Sequence, residues 1–286
     1  MRGFLLIDKA AGNSSFDVIR QLRKITGIKR IGHCGTLDPF ATGLLICALG
    51  SYTRLNSLLE AREKSYEATL RLGQSTTTGD PEGEVEETAA PNIERFDARA
   101  ITEAALALDE LAVPKYSAVK IQGQRAYKLM RQGVEVEIAP RAVKVHSFQF
   151  INPNELSEQN PCLSYACTVS KGTYIRSLSI WIAAQMQTVA HTVSLRRTAI
   201  GDISVDDAVK LDELTDWQAA LVPCERLFGH LVSRHMDAEQ IRVLKHGQSV
   251  PVDMADTEQI LVLNEMGGIE TLGYIKDGHL HPKVNF

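Results

Sequence analysis

The stretch that leaves this chain least freedom is Gly32-His33-Cys34-Gly35-Thr36-Leu37-Asp38-Pro39. It follows a helical stripe of Phe16, Val18, Ile19, Leu22 and Ile25, whose opposite face carries Arg20, Arg23 and Lys24. Glycine admits positive φ and close backbone approach, while Pro39 fixes its own φ and bars Leu37-Asp38 from continuing a helix. Residues 44–49 are apolar enough to be buried beneath it. The eight residues therefore form an ordered loop between a helix and a buried segment, presenting His33 and Asp38. Read by itself, the loop fits an Asp-Pro turn with His33 bonded to backbone better than it fits a chemical site.

The rest of the chain alternates irregularly. A strand is expected over 4–7, and a clearer one over 66–72, where Tyr66, Ala68, Leu70 and Leu72 alternate with Glu67, Thr69 and Arg71. Ser14-x-x-Asp17 reads as a capping box and Gly27 as the stop of the first helix. Further helices are expected over 53–61, 101–111, 124–132 and 174–185. Further strands are expected over 117–121, 134–138, 143–151, 163–169 and 192–203, with a loop over 76–83. Several connections have hairpin length. This favours an α+β design, a mixed and largely antiparallel sheet with packed helices, over a doubly wound parallel one. A boundary near 228–233 would divide a large domain, 1–229, from a small β-rich one, 230–286. The latter holds a helix over 237–245 and strands at 260–263 and 272–275, with Asp277-Gly278 as a hairpin turn leading to Leu280.

With 286 residues, 44% hydrophobic and 23% charged, the chain has an ordinary globular composition. No apolar run approaches the ~20 residues of a membrane span, and no secretory signal pattern opens the chain. Five cysteines without a Cys-x-x-Cys pair fit free thiols in a reducing cytosol, and no zinc site is expected. No Walker or dinucleotide-binding glycine pattern occurs, so neither ATP nor NAD is implied. The net charge of −4 argues against a nucleic-acid partner until its distribution is considered. Basic residues gather in 1–31 and in 115–144 (Lys115, Lys120, Arg125, Lys128, Arg131, Arg141, Lys144), acidic ones in 82–110 and 202–216. Charge alone fits an RNA-facing surface and a pair of solvated faces equally well.

The loop motif Gly-His-x-Gly-x-Leu-Asp-Pro resembles the catalytic-aspartate motif of the TruB family of tRNA pseudouridine-55 synthases. Leu5-Leu6-Ile7-Asp8-Lys9, Gly12-Asn13-Ser14-Ser15, Ala41-Thr42-Gly43-Leu44-Leu45, Lys64-Ser65-Tyr66 and Leu72-Gly73 follow that family's order. So do Tyr116-Ser117-Ala118-Val119-Lys120, Lys171-Gly172-Thr173-Tyr174-Ile175-Arg176 and Leu195-Arg196-Arg197. The chain departs from the family at Ala10, where Pro is usual, at Cys34, where Thr is commoner, and at Thr77, where Asp is usual.

The resemblance implies the pseudouridine synthase fold, a C-terminal PUA-like module, and a cofactor-free, metal-free isomerisation of uridine 55 in the T-loop of tRNA. It casts Asp38 as the essential carboxylate, compatible with attack on C1′, attack on C6 or abstraction of a sugar proton. Arg176 would stand beside Asp38 and lower its pKa. Tyr66 would stack on the flipped uracil and Leu195 would wall the pocket. Lys9 and Tyr174 would support the loop and pocket, and His33 would enter the T-loop as a wedge. Arg20 and Lys24 would meet backbone phosphates. The chain would act as a cytoplasmic monomer, with tRNA as partner and no membrane or obligatory protein partner. Two rivals stand beside this: a tRNA-binding or folding protein with vestigial catalysis, and an unrelated hydrolase pairing Asp38 with Glu82 or Glu84. Intact Asp38, Tyr66 and Arg176 count against the first, and the absence of a motif-borne second carboxylate against the other.

Overall fold

The computed structural model of the chain describes residues 1–117, 119–121 and 123–286, with all their side chains but those of Tyr127 and Arg131. Ala118, within the expected 117–121 strand, and the Arg131 side chain of the basic segment lie outside the described residues. Two strands carry the architecture, Gly3–Lys9 and Thr42–Leu49, paired antiparallel from Gly3↔Leu49 to Lys9↔Gly43. Both are apolar at nearly every position, so alternate side chains serve two different cores. Phe4, Leu6, Leu44, Ile46 and Ala48 pack with Tyr52, Leu55 and Leu59. Leu5, Ile7, Leu45, Cys47 and Leu49 pack with Val18, Ile19 and Leu22 of the helix Ser15–Thr26. That helix starts at the Ser14/Asp17 capping box and stops at Gly27 with φ of 71°, as its sequence anticipates.

Around this pair lies a nine-stranded sheet. Its main path runs Val145–Ile151, Cys162–Val169, Lys64–Leu72, Ala190–Ile200, Thr42–Leu49, Gly3–Lys9, Val209–Lys210. Among the described residues, parallel pairing in this sheet is confined to Ala190–Ile200 with Thr42–Leu49 and to Gly3–Lys9 with Val209–Lys210. The sheet is thus mixed and largely antiparallel, as expected. The helices Ala98–Leu106 and Ile175–Gln185 close its other half over Ala68, Leu70, Leu163 and Tyr165. A second sheet joins Ser233–His235, Thr257–Leu263, Ile269–Lys276, His279–Asn285 and Val250–Pro251, with the helix Ala238–Lys245 against it. It docks on the first: Leu261, Leu263 and Ile269 enter the cluster of Phe4 and Tyr52, and the Ile269 amide donates to the Tyr52 hydroxyl at 2.7 Å.

Several expected elements differ. The 53–61 helix is a 3-10 turn, Gly50–Leu55, followed by a short α-helix, Asn56–Glu60. The 101–111 helix is Ala98–Leu106, capped by the Asp97 carboxylate; the chain beyond it turns into Glu110–Leu111, which pairs with Arg141–Ala142. No strand forms over 134–138, because that stretch meets no partner edge and only Val136 of its alternating residues is buried. Residues 76–83 are largely the tip of a hairpin between Gln74–Thr76 and Val85–Thr88. The long strand starts at Ala190, and Gly201 (φ 58°) turns Ile203–Ser204 back onto its end. All five cysteines are free thiols, with Cys162 half-buried and the other four buried.

Candidate active site

The Asp38 loop is a connection between two strands pinned to each other. Ile31–His33 pairs with Thr42–Leu49 from Ile31↔Leu49 to His33↔Cys47, and residues 34–41 bulge out between them. Gly35 supplies a φ of 98° that a side chain would resist. The buried Ser15 hydroxyl serves both backbone groups of Leu37, accepting from its amide at 2.9 Å and donating to its carbonyl at 3.1 Å. Lys9, 1% exposed, donates to the carbonyls of Asn13 (2.6 Å), Ala10 (3.0 Å) and Pro39 (3.2 Å). Burial pushes its pKa down to about 8. Leu37 and Ala41 face inward, so Asp38 is lifted clear of the core by neighbours that anchor in it.

Arg176 comes to Asp38 from the first turn of Ile175–Gln185. Its Nε lies 3.0 Å from Asp38 Oδ2 and its Nη2 donates to Oδ1 at 3.4 Å. The same guanidinium donates to the carbonyls of Thr78 (2.6 Å) and Tyr116 (3.0 Å) and pairs with Asp80 at 3.2 Å. Asp80 is buried and held by the Thr78 hydroxyl at 2.5 Å and the Glu82 amide at 3.0 Å. Arg176 does lower the pKa of Asp38, as expected, but the net shift is upward. Burial raises it, Arg176 offsets that only in part, and the charge of Asp80 raises it further. A third carboxyl, Glu82, is raised by burial and by these two neighbours.

Beside this pair lies an apolar wall. Tyr66 and Leu195 sit in one cluster with Leu37 and Ala41, and Phe40 packs against it. The phenol of Tyr66 is pushed up by burial and pulled back by the guanidinium of Arg197. Tyr174, half-buried, immediately precedes the Arg176 helix. The His33 carbonyl accepts from Asn56 at 3.1 Å, while its buried Nδ1 has no hydrogen-bond partner among the described residues; burial lowers its pKa and favours the neutral ring. Arg20 and Lys24 stand apart on the exposed face of Ser15–Thr26, where Arg20 pairs with Asp17 at 2.9 Å and lies over the Phe16 ring.

Two residues of the site escape the sequence reading. Asp80 lies in the hairpin tip taken as plain loop, and its Gly-Asp-Pro setting carries only a turn signal. Arg197 was legible in principle: two residues beyond the inward Leu195, strand alternation sends it inward too.

A family model for the TruB family pseudouridylate synthase (N terminal domain) matches residues 23–175, more than half of the chain. The chain belongs to the TruB family. Relatives match over most of the chain. The tRNA pseudouridine synthase B of Thermobifida fusca (strain YX) is 39% identical over 252 residues, covering 87% of this chain and 86% of that one. That of Nitrosococcus oceani is 37% identical, covering 99% and 94%. The fold is shared with a chain of an H/ACA RNP bound to a substrate RNA containing 2'-deoxyuridine, at 20% identity and a TM-score of 0.69, over 99% of this chain and 84% of that one. A chain of a Cbf5-Nop10-Gar1 complex gives 20% and 0.68 over the same shares. The mixed sheet with its packed helices is the pseudouridine synthase fold.

Proposed function

We propose that this TruB-family protein isomerises uridine 55 in the T-loop of tRNA to pseudouridine, with Asp38 as its essential carboxylate. The observation that carries the reading is the setting of Asp38. Arg176 grips it through both oxygens, yet a third of its side chain stays open beside the wall of Tyr66 and Leu195. The names of relatives 37% and 39% identical over most of the chain support tRNA as substrate.

The reaction breaks the N1–C1′ bond, turns the uracil, joins C5 to C1′, releases the C5 proton and returns one to N1. Product and substrate are isomers, so the chemistry calls for no redox partner or group donor. Asp38 acts at the sugar or the base, and Arg176 orients it. Tyr66 stacks on the detached uracil over Leu195, which offsets the few kcal/mol of taking the base out of its stack. Lys9 and Tyr174 support the loop and the pocket. The neutral ring of His33 fits a wedge among T-loop bases. Arg20 and Lys24 meet phosphates. The chain acts as a cytoplasmic monomer without an obligatory protein partner, its 1–229 part catalytic and its 230–286 part a PUA-like module against the same RNA.

The test is to incubate pure protein with a tRNA transcript and map pseudouridine. The wild type is expected to convert position 55. Asp38→Asn, nearly isosteric but no carboxylate, is expected to lose at least about 10²–10⁴-fold in rate with tRNA affinity nearly unchanged. Conversion by a clean Asp38→Asn protein, or none by the wild type, would end the assignment.

A further inference from the structure

Arg197 is a buried cation that the scheme above leaves without a task. It is 1% exposed, while its neighbour Arg196 turns outward to grip Asp8 through both oxygens at 3.0 and 2.8 Å. Among the described residues no carboxylate pairs with Arg197. A guanidinium taken out of water without a counter-charge is costly, so its donors must be met in other ways. They go to backbone carbonyls: Nε to Leu44 at 2.8 Å, Nη2 to Gly35 at 3.1 Å and Nη1 to Thr36 at 3.5 Å. Gly35 and Thr36 begin the Asp38 loop, and Leu44 lies just beyond its end. One planar group thus ties both ends of the loop together from beneath, with Asp38 between them.

The strand register explains how it reaches this position. Arg197 stands directly opposite Tyr66 on the antiparallel neighbour and opposite Gly43 on the parallel one. A Cβ on Gly43 would lie 2.2 Å from the Arg197 carbonyl, so glycine there is what lets the two strands close. Gly35 lies in ordinary contact range of two buried cations, with its Cβ position 3.5 Å from Arg197 Nη1 and 3.9 Å from Lys64 Cε. Lys64 donates at 2.6 Å to the carbonyls of Glu60 and Arg62. Lys9, Lys64 and Arg197 are thus all buried against the loop, and of these only Arg197 has the fork geometry to bridge its two ends.

We propose that Arg197 is a positioning residue that clamps the two ends of the Asp38 loop and, from the strand opposite Tyr66, fixes the loop and the stacking phenol relative to each other. It touches neither substrate nor reacting atoms. Its effect on the rate passes through the distance between Asp38 and Arg176. Releasing the clamp lets Asp38 drift from the guanidinium that offsets its burial, so Asp38 should hold its proton to higher pH.

This inference rests on the functional reading for its kinetic part only, and the test separates the two. Arg197→Met keeps the length of the side chain without its donors, and Arg197→Lys keeps the charge without the fork. Both are compared with the wild type in unfolding, tRNA affinity, single-turnover rate across pH, and ¹³C titration of the Asp38 carboxyl in RNA-free protein. The expected result for Arg197→Met is a rate loss of about 10²-fold at nearly unchanged affinity, with the acid limb and the Asp38 titration both moved up. Arg197→Lys should fall between, at about 10-fold, and it carries the test if the Met variant does not fold. Wild-type rate and an unmoved Asp38 titration in the folded Lys or Met variant would overturn the clamp. A wild type that forms no pseudouridine would overturn the functional reading, and the clamp would then stand or fall on the Asp38 titration alone.

Discussion

At the scale of single residues, the site is governed by one guanidinium divided between two carboxylates. Arg176 faces Asp38 and Asp80 together, and Asp80 is the more buried of the two. The like charge of Asp80 and the burial of the site both hold the Asp38 proton to higher pH, against Arg176. Asp80→Asn removes that charge and leaves Arg176 to Asp38, so the Asp38 pKa should fall. The acid limb of kcat/KM should then move to lower pH, even if the rate at neutral pH drops through poorer placement of Arg176. A limb that stays or moves upward in the pH profile would show that Asp38 does not feel Asp80. Asp38 and Arg176 were legible because each sits in an ordered motif. Asp80 was not, since a lone acid in a Gly-Asp-Pro turn is indistinguishable from turn chemistry until the Arg176 helix is folded against it. The sign of the Asp38 shift was illegible for the same reason, because it depends on burial and on a neighbour 42 positions away.

At the scale of elements, the helix Ser15–Thr26 has two duties. Its first turn holds the loop and its outer face offers cations. Ser15→Ala would leave the buried amide and carbonyl of Leu37 without their shared partner. It is expected to cost about 1–3 kcal/mol in denaturant unfolding and to slow turnover, with little effect on RNA affinity. The outer face makes the opposite forecast. Replacing Arg20 and Lys24 by Ala should flatten the log–log dependence of tRNA affinity on salt by roughly one to two, with the rate at saturating tRNA near normal. The exposed Asp17 ion pair is too weak to withhold Arg20 from a phosphate. An unchanged slope would put the RNA on another face. Strands with clear alternation, such as Lys64–Leu72, were readable from the chain, and so was this helix with its two caps. In the 113–140 region the expected helix is there as Ala126–Arg131, but the strands are only two-residue pairings, whose shape comes from neighbours rather than from periodicity.

For the whole molecule, buried lysines are held by backbone carbonyls, as Lys64 is by those of Glu60 and Arg62 at 2.6 Å. Lys64 lies where two cores meet the loop, 7% exposed, and burial pulls its pKa down to about 8 against 10.5 for the free side chain. Between those values the unfolded chain binds the extra proton, so stability should rise with pH through that window. Relative to Lys64→Met, the wild type is expected to gain on the order of 1–3 kcal/mol between pH 8 and pH 10.5, read from denaturant midpoints at each pH. A constant difference would mean that the ammonium is solvated. The strand-rich character of the chain beyond 228 was legible from the Asp277-Gly278 turn and the change of pattern there. The core it shares with the first sheet was not, because Tyr52, Leu261 and Ile269 meet only through the tertiary fold.

The buried free thiols turn the same packing into a set of clocks. Cys47 and Cys167 are pushed up to about 12 by burial, and Cys34 is raised as well, so in the folded protein all three stay as thiols away from solvent. Alkylation at each then waits for its own neighbourhood to open. Cys47 reports the core under the first helix, Cys167 the strand beside Tyr66, and Cys34 the start of the Asp38 loop. In mass spectrometry of timed labelling, bound tRNA should slow Cys34 more than Cys167, since a loop closed over its substrate opens less often while a strand interior changes little.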